Sequence, residues 1–251
     1  IIYFGILFGA VLSMIPKEKA KPVMDLVEGL NEVFVKMVMV IMKAMPFFVF
    51  ALMAGQIVKA AGSDPDKFTE LMKFYLWYGG VVIAGLVTMA FIFYPIIVKI
   101  FTGLGFRKFL RSVKDAQITA FSTSSSVATL PVTMGCLENN LKVSKSTTSF
   151  VLPIGATVNM DGTSLYQGIA VVALAQFHMV DLSILQQLII VGTATLASIG
   201  AAAIPSAGLI LMMVVLESVG LNPLWIAIIF PIDRILDMCR TVVNVTGDAS
   251  V

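Results

Sequence analysis

The residues best equipped for chemistry lie near the end of the chain, in the stretch Asp233 to Asp248, DRILDMCRTVVNVTGD. On a helix turning about 100° per residue, Asp233, Asp237, Arg240, Thr241, Asn244 and Asp248 share one stripe about 100° wide. Ile235, Leu236, Val242, Val243 and Val245 fall outside it. This polar face is about 22 Å long at 1.5 Å per residue. Because the stretch follows the apolar run LWIAIIFPI, it has the setting of a membrane span, where each central Asp or Arg is disfavoured by roughly 2.5 to 3.5 kcal/mol. Charges at that depth need an interior reason. One is a structural ion-pair network inside a helix bundle; the sharper one is a binding face for a charged solute and its ions.

Such a face needs a membrane scaffold, and the composition supplies one. The chain of 251 residues is 58% hydrophobic and 13% charged, with mean hydropathy +0.96. These values lie outside the range of a soluble domain and predict an all-α integral membrane protein. At about 20 residues per span, it would hold about six to eight spans or partial spans. The net charge of +2 points to no nucleic-acid partner. Basic residues gather in short joints, Lys17 to Lys21 and Arg107 to Lys114, which by the positive-inside rule suggests cytoplasmic loops. Cys136 and Cys239 sit in apolar contexts without metal-ligand spacing and are expected as free thiols. A start at Ile1, inside an apolar segment, suggests a piece of a longer protein.

Along the chain, Ile1 to Ile15 reads as an apolar helix ending at Pro16 and the joint KEKAK. A long helix is predicted over Met24 to Ala61, with a kink at Pro46, then a turn at Gly62 to Asp66. A span follows over Phe74 to Thr102. Beyond Phe106 the pattern changes. Two apolar stretches, each too short to span twice, are broken at their centres, one by STSSS (Ser122 to Ser126) and Pro131, the other by SIGAAAIPSAG (Ser198 to Gly208). They read as re-entrant hairpins over 106–140 and 183–221, because non-helical backbone survives at membrane depth only where protein or a watery cavity covers it. Between them, the helix over 145–178 is interrupted by GATVNMDGT (Gly155 to Thr163), and the polar helix occupies 223–251. Hairpin plus broken helix, followed by hairpin plus polar helix, is the layout of inverted-repeat transporters with a midplane site.

An Asn-Met-Asp-Gly in mid-membrane frees backbone carbonyls that can coordinate a cation. With the carboxylates of Asp161 and Asp248 and the amide of Asn159, these are oxygen ligands for a hard monovalent ion, sodium first and protons as the rival. Met160, taken alone, reads as core packing. Arg240 offers an always-charged planar fork suited to a carboxylate. Asp233, seven residues before it, can hold the fork, and Asp237 can receive an ammonium group; Thr241 and Asn244 add neutral hydrogen bonds. A positive and a negative contact so close together suit an acidic amino acid. Arg234 either screens Asp237 or snorkels to the surface.

Four ordered runs, SSSVATLPVT, PIGATVNMDGTSLYQG, ASIGAAAIPSAG and DRILDMCRTVVNVTGD, closely resemble the glutamate/aspartate:sodium symporter family. That family includes excitatory amino-acid transporters, neutral amino-acid exchangers, archaeal aspartate transporters and bacterial dicarboxylate carriers. The resemblance is strong from about Phe106 to Asp248. It implies an elevator-type fold with two re-entrant hairpins and discontinuous helices, in which a transport domain over 74–251 slides against trimerisation scaffold helices over 1–73. It also implies a multi-pass protein of the cell membrane, a homotrimer in the lipid bilayer, and no cofactor beyond sodium as a coupled substrate. Substrate contacts would come from Ser124, Ser125 and Ser126, from Thr163, from Ile204 and Gly208, and from Asp237, Arg240, Thr241 and Asn244. One sodium would use Gly155, Asn159, Asn244 and Asp248. A second would use backbone oxygens at Thr157, Ser198, Ile199 and Ala201 with Met160, and a third would include Asn159 and Asp161.

Departures from the family pattern refine this expectation. Neutral amino-acid exchangers lack the arginine at Arg240, and dicarboxylate carriers lack the carboxylate at Asp237; a chain with both is suited to an acidic amino acid. Archaeal members place an arginine where Ser124 stands, a charge that Arg234 would supply here. Ala203 replaces a glycine common at the second hairpin's tip, where alanine is less permissive of positive φ. The competing classes are a proton-coupled carrier of the same fold, a passive anion channel, and an intramembrane aspartyl protease using Asp161, Asp233 and Asp237. A protease gains nothing from Arg240 beside its dyad.

Overall fold

The computed structural model describes residues 2–61, 65–201 and 205–251. Ile204 and Ala203, and most of the turn expected at Gly62 to Asp66, lie outside the described residues. Among those described, all regular structure is helical. The chain forms two compact units, 1–52 and 53–251. The first holds α1 (Ile2–Met14) and most of α2 (Lys17–Ala61). Rather than ending in a basic joint, the sequence KEKAK is already helical: Pro16 accepts from the N–H groups of Lys19 and Ala20 and so opens α2.

In the second unit, α3 (Pro65–Thr88) starts well before the apolar run at Phe74. Pro65 takes the first helical position, where its missing N–H costs nothing. A π-turn (Met89–Phe93) joins α3 to α4 (Tyr94–Thr102), and the composite over Asp66–Thr102 is the one described helix long and apolar enough to cross a membrane. Gly103, at φ +71°, stops it. Then come α5 (Phe106–Thr123) and α6 (Ser126–Cys136), joined by two residues. Ser124 turns the chain at φ +52°, and the Ser125 hydroxyl caps α6 by accepting from Ala128 N–H.

A second π-turn (Leu137–Leu141) leads to α7 (Lys145–Val158), capped by Ser144. After Asn159 and Met160, whose backbone is not helical, α8 (Asp161–Phe177) begins. The pair α9 (Ile184–Ile199) and α10 (Ala207–Ser218) follows, opened by a full capping box between Ser183 and Gln186. Last comes α11 (Ile226–Asp248).

Helix α11 packs against α3, α5 and α8, and also meets α6, α7 and α10. The expected two-faced helix is therefore modified. Leu236, Val243 and Val245 are as buried as the polar stripe, because neighbouring helices cover those sides of α11, while Ile235 stays exposed. Large apolar side chains such as Leu76, Trp77 and Phe101 are instead exposed on the α3–α4 segment. The main core joins α3, α8, α9, α10 and α11 around Tyr166, Leu174, Met212 and Leu236.

Candidate functional site

Arg240 is among the largest fully buried side chains of the described residues. Its Nη2 donates to Asp237 Oδ1 at 2.6 Å and lies 3.1 Å from Asp233 Oδ1, an ion pair outside hydrogen-bond alignment. Its guanidinium carbon stands 3.8 Å above the ring centre of Tyr166 on α8, a cation–π contact worth about 2 kcal/mol where water is excluded. Helical spacing explains the grouping: Asp233 and Asp237 precede Arg240 by two turns and one turn on the same face. Arg240 Nε and Nη1 are buried without a hydrogen-bond partner. Of the three guanidinium nitrogens only Nη2 is thus neutralised, and Nε and Nη1 are unspent.

The second carboxylate oxygen, Asp237 Oδ2, accepts the Ser206 N–H at 3.0 Å and lies 3.7 Å from Arg234 Nη1. Ser206 takes the position just before α10 at φ +60° without a side-chain capping bond, a left-handed conformation unusual for serine. Gly208 packs against Thr163, since a Cβ at Gly208 would fall 2.6 Å from Thr163 Cγ2. Its carbonyl accepts from Gln167 Nε2 at 2.8 Å. Ser206 and Gly208 therefore stand at the Asp237–Arg240 pair. Ser124 and Ser126 are buried at the turn between α5 and α6. These two helices pack on α11, where Gln117 Nε2 donates to Thr246 Oγ1 at 3.0 Å. The Thr241 hydroxyl is turned back onto its own helix, donating to Asp237 O at 2.9 Å.

One turn beyond Arg240, Asn244 bridges to the break between α7 and α8. Its Oδ1 accepts Gly162 N–H at 2.8 Å, and its Nδ2 donates to Thr163 Oγ1 at 3.4 Å. Glycine is required at 162, because a Cβ there would lie 2.6 Å from Arg240 O. At the end of α11, Asp248 Oδ1 accepts from Asn159 Nδ2 at 3.0 Å and lies where a Cβ on Gly155 would meet it at 2.7 Å. Asp161 Oδ2 accepts from the Tyr94 hydroxyl at 2.5 Å. Met160 packs with Ala201 and partly buried Leu211, so a methionine that reads as core is in contact with the loop after α9. Ser198 is buried, while Thr157 is exposed and Ile199 largely so. A cavity of about 1000 Å³ between α3, α8 and α9 is lined mainly by apolar side chains, with Ser164, Gln176, Gln187 and Thr195 among them, and reaches Asp161 and Ser198.

Three contributors were not picked out in the sequence. Tyr166 lies three residues after Thr163 and reads there as core; only its position over Arg240 gives it a role. Tyr94 is one aromatic in a long apolar run. Ser206 acts through its backbone, which side-chain chemistry does not reveal.

Ionised groups buried beside helix breaks, in a chain with this apolar exterior, mark a helical membrane protein. The chain belongs to the sodium:dicarboxylate symporter family, whose model matches residues 1–251. It is 41% identical over 249 residues to an excitatory amino acid transporter of Caenorhabditis elegans, covering 99% of this chain and 48% of the relative. It is 42% identical over 254 residues to excitatory amino acid transporter 1 of Ambystoma tigrinum and 41% identical over 249 residues to human excitatory amino acid transporter 3. In each match 99% of this chain is covered, against 45% and 46% of the relative. The chain thus spans about half the length of the curated relatives it matches.

Proposed function

We propose that this chain is the substrate-bearing part of a secondary active transporter that couples uptake of an acidic amino acid, L-aspartate or L-glutamate, to sodium. The observation that carries the reading is the unspent hydrogen-bonding capacity of Arg240: a buried guanidinium with two unpartnered nitrogens next to the carboxylate of Asp237. An acidic amino acid matches both, its side-chain carboxylate on Arg240 and its ammonium on Asp237. Ser126, Thr163, Thr241, Asn244 and the Ile204–Gly208 stretch would complete the pocket, with Ser124 and Ser125 at the α5–α6 turn.

Sodium ions would sit at the break. Asp248, Asn159, Asn244 and Gly155 would form one site, Met160 with backbone oxygens of Thr157, Ser198, Ile199 and Ala201 a second, and Asp161 with Asn159 a third. Coupling follows from Asn244. It binds Gly162 and Thr163 on one side and stands one turn from Arg240 on the other, so a cation that orders the break also orders the pocket. By thermodynamic reciprocity the ligand then tightens the cation by the same factor. Bearing Asp233 and Arg234 as supports, α11 carries both sites.

By the family resemblance, the α5–α6 and α9–α10 pairs are the re-entrant hairpins and α7–α8 the discontinuous helix. Residues 74–251 would form a transport domain moving as an elevator against scaffold helices in 1–73, in a homotrimer in the plasma or inner membrane. This division is drawn by function, and it differs from the change of compact unit within α2, which is one continuous helix.

The test is uptake of labelled L-aspartate by the full-length protein in proteoliposomes, competed with L-glutamate, L-serine and succinate. Saturable uptake that is lost when choline replaces sodium supports the reading. Uptake that persists in choline and follows a proton gradient would replace sodium by protons, and a current without saturable, stereospecific uptake would indicate a channel.

A further inference from the structure

Tyr94 belongs to none of the residues assigned above. Pro95 follows it, and a proline ring collides with the carbonyl four residues back in a regular α-helix. The chain relieves this through the π-turn Met89–Phe93, closed by Tyr94 N–H on Met89 O. Such turns re-aim the residues that follow and gather at functional positions. Tyr94 is buried, and its hydroxyl donates to Asp161 Oδ2 at 2.5 Å. Across from it, α11 presents Gly247. A Cβ there would lie 2.7 Å from Tyr94 Oη, 3.0 Å from Tyr94 Cζ and 2.9 Å from Asn159 Nδ2. The phenol is therefore wedged between α11 and Asp161, with its oxygen held on one of the two carboxylate oxygens.

We propose that Tyr94 is a specificity-determining residue of the cation site at Asp161, which it tunes toward sodium over lithium by occupying Oδ2. The inference rests on the cation role given to Asp161 above. Two effects act together. Holding one lone pair of Oδ2 disfavours a two-oxygen grip on a cation, and the charge-assisted hydrogen bond draws negative charge away from Oδ2. A smaller ion gives up more hydration energy on entry and so depends more on a strong, two-oxygen carboxylate field. Weakening that field handicaps lithium more than sodium.

The experiment measures cation-dependent thermal stabilisation of the full-length protein in detergent, titrated with NaCl or LiCl at constant ionic strength in choline chloride. Tyr94→Phe keeps the ring and removes the hydroxyl. Its ratio of lithium to sodium half-saturation concentrations should fall by roughly three- to tenfold, the net scale of one ordinary hydrogen bond. Gly247→Ala, whose methyl displaces the Tyr94 hydroxyl, should move the ratio the same way and serves if Tyr94→Phe does not fold. A purely structural tyrosine would lower the melting temperature and leave the ratio unchanged; that result, or a shift toward sodium, overturns the proposal. A wild-type protein indifferent to sodium would overturn the cation site itself and the proposal with it, whereas a sodium-sensitive wild type with an unchanged ratio in both variants overturns the proposal alone.

Discussion

Replacing Arg240 by cysteine separates binding from folding, because the side chain serves both. A guanidinium paired with a desolvated ligand carboxylate contributes about 2 to 5 kcal/mol, so L-aspartate should bind about 30-fold to several-thousand-fold more weakly. L-Serine has no side-chain carboxylate and should lose only what the pocket loses in order. The substitution also strips the cation from Asp237 and Asp233, which lie 2.6 and 3.1 Å from Nη2. Breaking a buried pair costs roughly 3 to 5 kcal/mol, so a lower melting temperature is expected as well. Adding Asp233→Asn removes one orphaned charge and should recover part of the stability without recovering discrimination. Sodium-dependent binding of labelled L-aspartate and L-serine, with melting curves for each variant, gives both readouts. Equal weakening of the two ligands would refute the assignment of Arg240 to the acidic side chain.

Asp248→Asn should raise the sodium concentration for half-maximal binding at least about tenfold, or 1.4 kcal/mol, and an unchanged sodium dependence would contradict its place in the site. Gly162→Ala puts a methyl 2.6 Å from Arg240 O and 3.0 Å from Asn244 Oδ1; separation of α8 from α11 should weaken sodium and aspartate binding together, read by titrating each in the presence of the other. Ser206→Gly relieves a left-handed φ of +60° at a cost in chain entropy, so stability should change by no more than about 1 kcal/mol. Its N–H to Asp237 is kept, and aspartate affinity should stay within about threefold. Tyr166→Leu removes the ring beneath Arg240 and should weaken aspartate by up to about 30-fold, in line with a desolvated cation–π contact of about 2 kcal/mol.

Much of this organisation is written in local chemistry. Asp233, Asp237, Arg240, Asn244 and Asp248 share a face because helical spacing puts them there, whatever packs around them. The interruptions at Ser124–Ser125 and Asn159–Met160 are equally local, since serine caps and a mid-helix Asn-Met-Asp-Gly break the backbone by themselves. Other features depend on partners distant in sequence. Leu236, Val243 and Val245 read only as lying off the polar stripe, and it is neighbouring helices that bury them. The start of α3 at Pro65 went unread because its first turns are polar and gave no apolar signal.

The chain by itself determined that charged groups would lie on one helix face beside two helix breaks in an apolar protein, because periodicity and capping act over a few residues. Only the tertiary structure decided which nitrogens of Arg240 are spent and which are not. The ring of Tyr166, the N–H of Ser206 and the hydroxyl of Tyr94 reach the site from three other elements, and spacing along the chain carries no record of such meetings.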